Sequence, residues 1–401
     1  MRKFDVLIVG GGAAGLAAAV SARKEDKNIS IAVIEKNDRV ARKILATGNG
    51  RCNFTNVDIS PDKYFGGRAF IGKVLSLFSY DDALSFFSSL GVLHRVEEGR
   101  VYPNSNMAAS VADALRLYVN ENNISVFTGK GVDKITPHDG GFMVDEFWAK
   151  KVIIACGGSA APVYGTDGKA YGLLTAFGHK LNAPKPALVS IKTDISRIKG
   201  LKGVKVYACV RLKNGGESVA TDTGEILFTD YGLSGIPVMQ VSRFAEKGSV
   251  IYLDMLPSFS FEETVALIRS HVRSFPERMG EEAFSGIINK KLAVPMMKSS
   301  GIEKMNVKLK ELSDKNILKC AEFLKELRLE VSGTSGFAAA QVTAGGIDTE
   351  GFDPYTLHSK LCEGLFAAGE ILDCDGLCGG YNLHWAWATG VIAGRSASKS
   401  R

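Results

Sequence analysis

The sequence predicts an α/β protein: a parallel, helix-covered sheet assembled from both ends of the chain and interrupted by a β-rich and helical insertion. Three observations carry that expectation. A β-branched run at residues 4–9 leads into a glycine-rich turn and an Ala-rich stretch. A second such run, 29–34, ends in Glu35. Two more short apolar runs, within 151–158 and 364–370, break on glycines, the latter close to the C-terminus.

Phe4-Asp5-Val6-Leu7-Ile8-Val9 reads as a buried parallel strand. Gly10, Gly12 and Gly15 follow as GxGxxG with Ala13 and Ala14 inside the motif, and Leu16 through Arg23 continues as a helix. The glycines serve a tight turn, close approach to a pyrophosphate, and close helix–strand packing. The helix start then offers unpaired N–H groups and a positive dipole end to phosphate. Ile29-Ser30-Ile31-Ala32-Val33-Ile34 is the next strand. Glu35 closes it twenty positions after Gly15, where a ribose-binding acid belongs, with Lys36 beside it. A lone GxGxxG is weak; strand, glycines, helix, strand and acid in register make a Rossmann-type dinucleotide site. An acid at this point repels a 2′-phosphate, which leaves FAD or NAD as the nucleotide.

The later segments favour FAD. Lys151-Val152-Ile153-Ile154-Ala155-Cys156-Gly157-Gly158 is a strand breaking on glycines, and Gly364-Leu365-Phe366-Ala367-Ala368-Gly369-Glu370 is another, ending in an acid. Both resemble the accessory strands of two-dinucleotide-type flavoproteins. That likeness places Ala155, Gly157, Gly369 and Glu370 at the cofactor. Residues 125–127 and 142–144 flank Gly131-Val132, where such folds touch adenine through backbone atoms, so Val132 joins the set.

Five stretches then resemble one family. They are Arg42 to Asn53 (RKILATGNGRCN), Gly99 to Pro103 (GRVYP), Leu227 to Gly235 (LFTDYGLSG), Val342 to Gly346 (VTAGG) and Gly379 to Leu383 (GGYNL). Through them the chain resembles, over nearly its whole length, the HI0933-like family of bacterial FAD-dependent oxidoreductases. Thr47, Gly48, Asn49, Gly50, Arg51, Cys52 and Asn53 alternate small residues with hydrogen-bonding ones, so this backbone can wrap a ligand closely. The resemblance runs them, with Lys43, along the pyrophosphate and the isoalloxazine edge. Gly380, Tyr381, Asn382 and Leu383 open an apolar run to Ala393 that reads as a buried helix. The resemblance aims its N-terminus at the flavin C2 carbonyl, where it stabilises the negative charge of reduced flavin.

Residues 1–185 and 336–401 are expected to form a discontinuous FAD-binding domain. Residues 186–258 form an inserted β-rich substrate domain, with strands at 188–191, 204–212, 225–229 and 250–253. Residues 259–335 form a helical subdomain. In it, Ser260-Phe261-Glu262-Glu263 is a capping box, and Ile317, Leu318, Ala321, Leu324 and Leu327 share one helix face. The resemblance makes the insertion a small β-barrel-like domain carrying the helices.

Composition narrows the function classes. The net charge of +6 is mild and its Lys and Arg are spread, without a basic stripe interleaved with aromatics, so nucleic acid is not the expected partner. A small-molecule substrate is. Seven scattered Cys without CxxC or metal spacing suit reduced thiols in a cytoplasmic protein. Nothing approaches the ~20 unbroken apolar residues of a membrane span. No metal site is expected, and nothing in the sequence fixes an oligomeric state.

Flavin itself carries the redox chemistry. No second GxGxxG follows a strand, so NAD(P)H would dock transiently as electron donor. Cys52 lacks the CxxxxC partner of flavin disulfide reductases, and Cys374 and Cys378 read as packing thiols. The candidate catalytic residues are Asp230 and Tyr231, and His384 just inside the last helix. Three functions stand: NAD(P)H-fed reduction of an activated C=C bond in an apolar or 3-oxo substrate, oxidation of a small amine with peroxide release, and non-enzymatic flavin binding.

Overall fold

In the computed structural model, residues 1–399 are described, and the first strand, Arg2–Val9, lies at the centre of a seven-stranded sheet. Ile31–Ile34 pairs parallel with one side of it and Phe147–Ile154 with the other. Ser125–Phe127 extends the sheet beyond Ile31–Ile34, also parallel. The far edge of Phe147–Ile154 is shared. Its second half takes Leu365–Ala367 in parallel, and its first half takes the antiparallel hairpin of Ile135–His138 and Gly141–Val144. The sheet is thus Rossmann-type and drawn from both ends of the chain. Val6 to Val9 and Ile31 to Ile34 are buried throughout, as their unbroken β-branched runs require.

Two helices cover the centre, Ala13–Glu25 and Tyr381–Ser398, each longer than the apolar run that announced it. They approach closely because their facing residues are small. A Cβ on Gly390 or Gly394 would drive into the carbonyl oxygen of Ala14 or Ala18. The same unit holds a three-stranded sheet ordered Thr55–Asn56, Arg100–Pro103, His94–Glu97, and a pairing of Tyr64–Gly66 with Cys374–Gly376. The unit comprises residues 1–186 and the chain from Gln341 onward.

Residues 187–340 form the second unit. Its six strands close an antiparallel barrel in the order Ile191–Thr193, Gly232–Ser234, Glu217–Phe228, Lys205–Asn214, Val250–Asp254, Leu327–Thr334. Ile191, Val210, Leu212, Ile226, Phe228, Leu253 and Leu329 fill its interior. The helices Phe261–Ser274, Lys290–Ser299 and Asp314–Lys325 sit between its fifth and sixth strands in sequence. The helical segment is therefore an excursion within the barrel rather than a block after it. Leu327 to Val331 alternates buried and exposed, a strand's period, although the apolar spacing through Leu327 suggested a continuing helix. Leu318, expected on the buried face, is exposed, and Cys320 and Phe323 take its place. Among the described residues no helix is long and apolar enough to cross a membrane.

Candidate cofactor site

The first glycine turn is built by contacts that only glycine permits. Gly10 has φ 109°, and a Cβ there would strike the carbonyl of Ala155, just past the end of the neighbouring strand. A Cβ on Gly15 would strike the Gly10 carbonyl. Gly12 differs: a Cβ there would meet nothing, so the space before the helix is open. Gly12 is the N-cap of Ala13–Glu25, with no side-chain cap and no acid in the first turn. Its first N–H groups therefore remain available to an anion. Glu35 is buried at the same turn. Its Oε2 accepts from Gly11 N at 2.9 Å, and its Oε1 accepts from Asn37 N at 2.8 Å.

The segment expected to wrap a ligand starts after the short helix Arg42–Ala46. Gly48 and Asn49 are both left-handed and Cys52 has φ 58°, which folds 47–53 into a tight loop. Gly48, Asn49 and Gly50 are exposed, whereas Cys52 and Asn53 are buried. Thr47 O accepts from Cys52 N at 3.0 Å, closing the loop. Arg51 stacks on Tyr102 at 4.3 Å and donates to its hydroxyl at 3.1 Å. Burial pushes the Cys52 thiol up to about 12, which removes it from nucleophilic chemistry.

A second cluster gathers four parts of the chain. Lys43 Nζ pairs with Glu370 Oε2 at 2.9 Å and donates to Ala160 O at 3.2 Å. Glu370 Oε1 accepts from Thr343 N at 2.8 Å, and Thr343 Oγ1 accepts from Ser159 N at 2.8 Å. Ala155, Gly157, Gly369 and Glu370 are brought together around this cluster by the parallel pairing of Phe147–Ile154 with Leu365–Ala367. On the other side of Glu35, Lys130 N donates to Glu35 O at 3.0 Å, which carries the loop bearing half-buried Val132 to the end of the second strand. Lys36 pairs with Asp167 at 3.1 Å.

The last helix binds these segments to one another. Trp385 Nε1 donates to Gly369 O at 3.2 Å and Thr389 Oγ1 accepts from Gly369 N at 2.8 Å. Trp387 Nε1 donates to Phe54 O at 2.9 Å. Gly380, left-handed at φ 100°, is its N-cap, again without a side-chain cap or an acid in the first turn. Asn382 does not cap it; its amide clips the approach loop at Gly376. The roles of Trp385, Trp387, Thr389 and Thr343 were not read from the sequence. A signal existed: polar atoms on Trp and Thr inside an apolar run must find buried partners.

The candidate catalytic residues fare differently. His384 is buried in the core. Its Nε2 donates to Phe78 O at 3.1 Å, so its Nδ1 accepts from Thr55 Oγ1 at 2.8 Å. Burial lowers its pKa to about 4. This corrects the expectation of a proton donor: a neutral ring with both nitrogens engaged has no proton for a ligand. Asp230 lies in the barrel unit and pairs with Lys202 at 2.6 Å, whose hydrogen bond holds the carboxyl below its ordinary range. It is an ionised acceptor rather than an acid. Tyr231, beside it, is exposed.

Comparison with known proteins gives the family and the fold. Residues 4–396 match the family described as HI0933-like protein Rossmann domain. The chain is 38% identical to 3-dehydro-bile acid delta(4,6)-reductase of Clostridium scindens, covering 98% of each. It is 27% identical to ribosomal RNA dihydrouridine synthase of Escherichia coli, covering 97% of this chain and 96% of that one. Among solved structures, 3-ketosteroid-delta4-(5alpha)-dehydrogenase of Rhodococcus jostii matches 100% of this chain and 97% of its own, with a TM-score of 0.53. At 17% identity that likeness is one of fold, the Rossmann-type flavoprotein fold.

Proposed function

The chain belongs to the HI0933-like family, and on that premise we propose that it is an FAD-dependent reductase using NAD(P)H to saturate an activated C=C bond of a small apolar 3-oxo substrate. The observation that carries the cofactor reading is the open, uncapped helix start at Gly12 with buried Glu35 beside it. The N–H groups after Gly12 hold the pyrophosphate, and Glu35 accepts from the adenosine ribose. Lys36 and the backbone at Val132 border the adenosine end. Lys43, Ala155, Gly157, Gly369 and Glu370 would border the cofactor between the pyrophosphate and the ring. Residues 47–53 and 380–383 border the ring.

FAD, when bound, would supply the hydride chemistry that couples NAD(P)H oxidation to reduction of the C=C bond. The protein's part is orientation and charge. The start of the last helix favours negative charge on the ring beside it. His384 fixes that helix to Thr55 and Phe78 instead of moving a proton, and Tyr231 is the remaining proposed donor.

The C=C reading is supported by two relatives whose names both imply hydrogen added to a double bond conjugated with a carbonyl. The second of them favours another substrate, a uracil ring in RNA, against which the spread of Lys and Arg argues. The test is anaerobic reduction of the yellow protein by NADH or NADPH, followed by recolouring with candidate acceptors. The reading expects bleaching by a nicotinamide and recolouring by a conjugated 3-oxo acid faster than by oxygen. Recolouring by ribosomal RNA alone moves the reading to the uracil ring. Bleaching only by a small amine, with rapid peroxide release in air, contradicts both.

A further inference from the structure

Three arginines gather around one carboxylate near the last helix. His94–Glu97 and Arg100–Pro103 pair antiparallel, with Glu97 opposite Arg100 and Arg95 opposite Tyr102, so these four side chains share a face. Glu97 already receives Arg95 at 2.9 Å and Arg51 at 3.3 Å. Arg100 is half-buried, and no carboxylate pairs with it among the described residues. A guanidinium keeps its charge at any working pH, and removing it part-way from water without a counter-charge is costly. Its position therefore asks for an anion from outside the chain.

The place where that anion belongs is marked twice more. A Cβ on Gly379 would come within 3.8 Å of Arg100 Nε, and the next residue, Gly380, opens the last helix with neither cap nor acid. Independently, Asn53 is nine-tenths buried and its Oδ1 has no partner among the described residues. That oxygen lies 2.7 Å from where a Cβ on Gly380 would sit. An acceptor without a donor, a set of free backbone N–H groups and an unpaired guanidinium thus converge at one helix start. Their complement is a planar ring edge bearing an N–H next to an oxygen that carries negative charge. The pyrimidine edge of a flavin has this pattern, N3–H beside O2, and becomes anionic when the ring is reduced.

Resting on the FAD reading above, we infer that Arg100 is the counter-charge for the anionic pyrimidine edge of reduced flavin, with Asn53 Oδ1 accepting from its N3–H. Arg100 thereby sets the potential of the bound cofactor. The test uses FAD-loaded protein and reads the midpoint potential by dye equilibration together with sulfite affinity, which rises with positive charge at this edge. Arg100→Gln is expected to weaken binding of reduced relative to oxidised FAD about tenfold, a fall of about 30 mV in the two-electron potential. Sulfite binding falls similarly, and Arg100→Lys restores most of both. A residue that merely packs would move neither quantity.

FAD-loaded Arg100→Gln with wild-type potential and sulfite affinity overturns the inference. So does an unchanged potential with a raised KM for a carboxylate-bearing substrate, which would make Arg100 a substrate group. Should Arg100→Gln not fold, Glu97→Gln, at an exposed position, reads the same field with opposite sign; an unchanged or lowered potential there also overturns it. A wild-type chain that retains no FAD refutes the parent reading instead.

Discussion

Among the described residues, two kinds of helix start stand in contrast. Phe261–Ser274 and Asp314–Lys325 open on reciprocal capping boxes, Ser260 with Glu263 and Ser313 with Asn316, and Lys290–Ser299 opens on Asn289. Their first turns are closed by the chain's own oxygens. Ala13–Glu25 and Tyr381–Ser398 open on glycines, with no side chain on the N–H groups and no acid in the first turn. The contrast follows the job and not the unit, because Tyr80–Ser88 in the sheet unit is capped by Ser79 and Asp82. Nor does a bare start suffice. Ala108–Glu121 is also uncapped, but it begins at exposed Met107, where water serves its donors. Nor does a glycine start suffice, since Arg68–Leu77 and Ile236–Val241 also open on uncapped glycines. What sets Gly12 and Gly380 apart is the buried acceptor beside each, the Glu35 carboxylate at the first and Asn53 Oδ1 at the second.

Four substitutions or titrations separate the two kinds of helix start. Gly15→Ala is expected to have the largest effect, because the added Cβ strikes a backbone carbonyl that cannot move aside. Overpacking of that kind costs about 3 kcal/mol, and the purified protein should be colourless. Flavin absorbance per protein measures it. The helix that carries Gly380 is also pinned by a buried neutral imidazole. The folded pKa of His384, about 4, lies below the ordinary 6.5, so the unfolded chain binds more protons between these values. The stability it contributes is complete above pH 6.5 and is lost as pH falls toward 4, on the order of 3 kcal/mol in all. Urea midpoints at pH 4.5 and 7.5 should diverge more in wild type than in His384→Gln.

Glu35→Ala should weaken FAD retention by about 1–3 kcal/mol, read by flavin occupancy after dialysis, while leaving the melting temperature of the empty protein near wild type. At a capped start the outcome reverses. Ser260→Ala should cost about 1 kcal/mol of stability in a urea melt and leave the flavin spectrum unchanged.

The bare starts differ in how far the sequence revealed them. The Gly10 to Glu35 unit was legible because its signals are local: strand period, glycine spacing and an acid in register all fall within one stretch. The capping box at Ser260 was legible for the same reason. The barrel's closure was not, since Leu327–Thr334 pairs with strands far away in sequence and its apolar spacing continues that of the preceding helix. His384 misled for a related reason. Its spacing placed it at the head of the last helix but could not show that Thr55 and Phe78 close around it. Arg100 was legible as part of the GRVYP stretch but not as a site residue, because its ion-pair partner is missing only once Glu97 is seen to serve two other arginines.

If the Gly12 helix start is left bare for a phosphate-bearing cofactor, Gly12→Asp is the substitution that exposes it. Gly12 has extended backbone angles and open space at its Cβ, so an Asp fits there and can cap the helix. Two quantities should move in opposite directions in that variant: the empty protein melts at a higher temperature, by about 1 kcal/mol of added stability, while FAD binds about thirtyfold more weakly. FAD titration into the empty wild-type and variant proteins, with melts of both, gives the two numbers. A variant that binds FAD as tightly as wild type would contradict the claim, whatever its melting temperature.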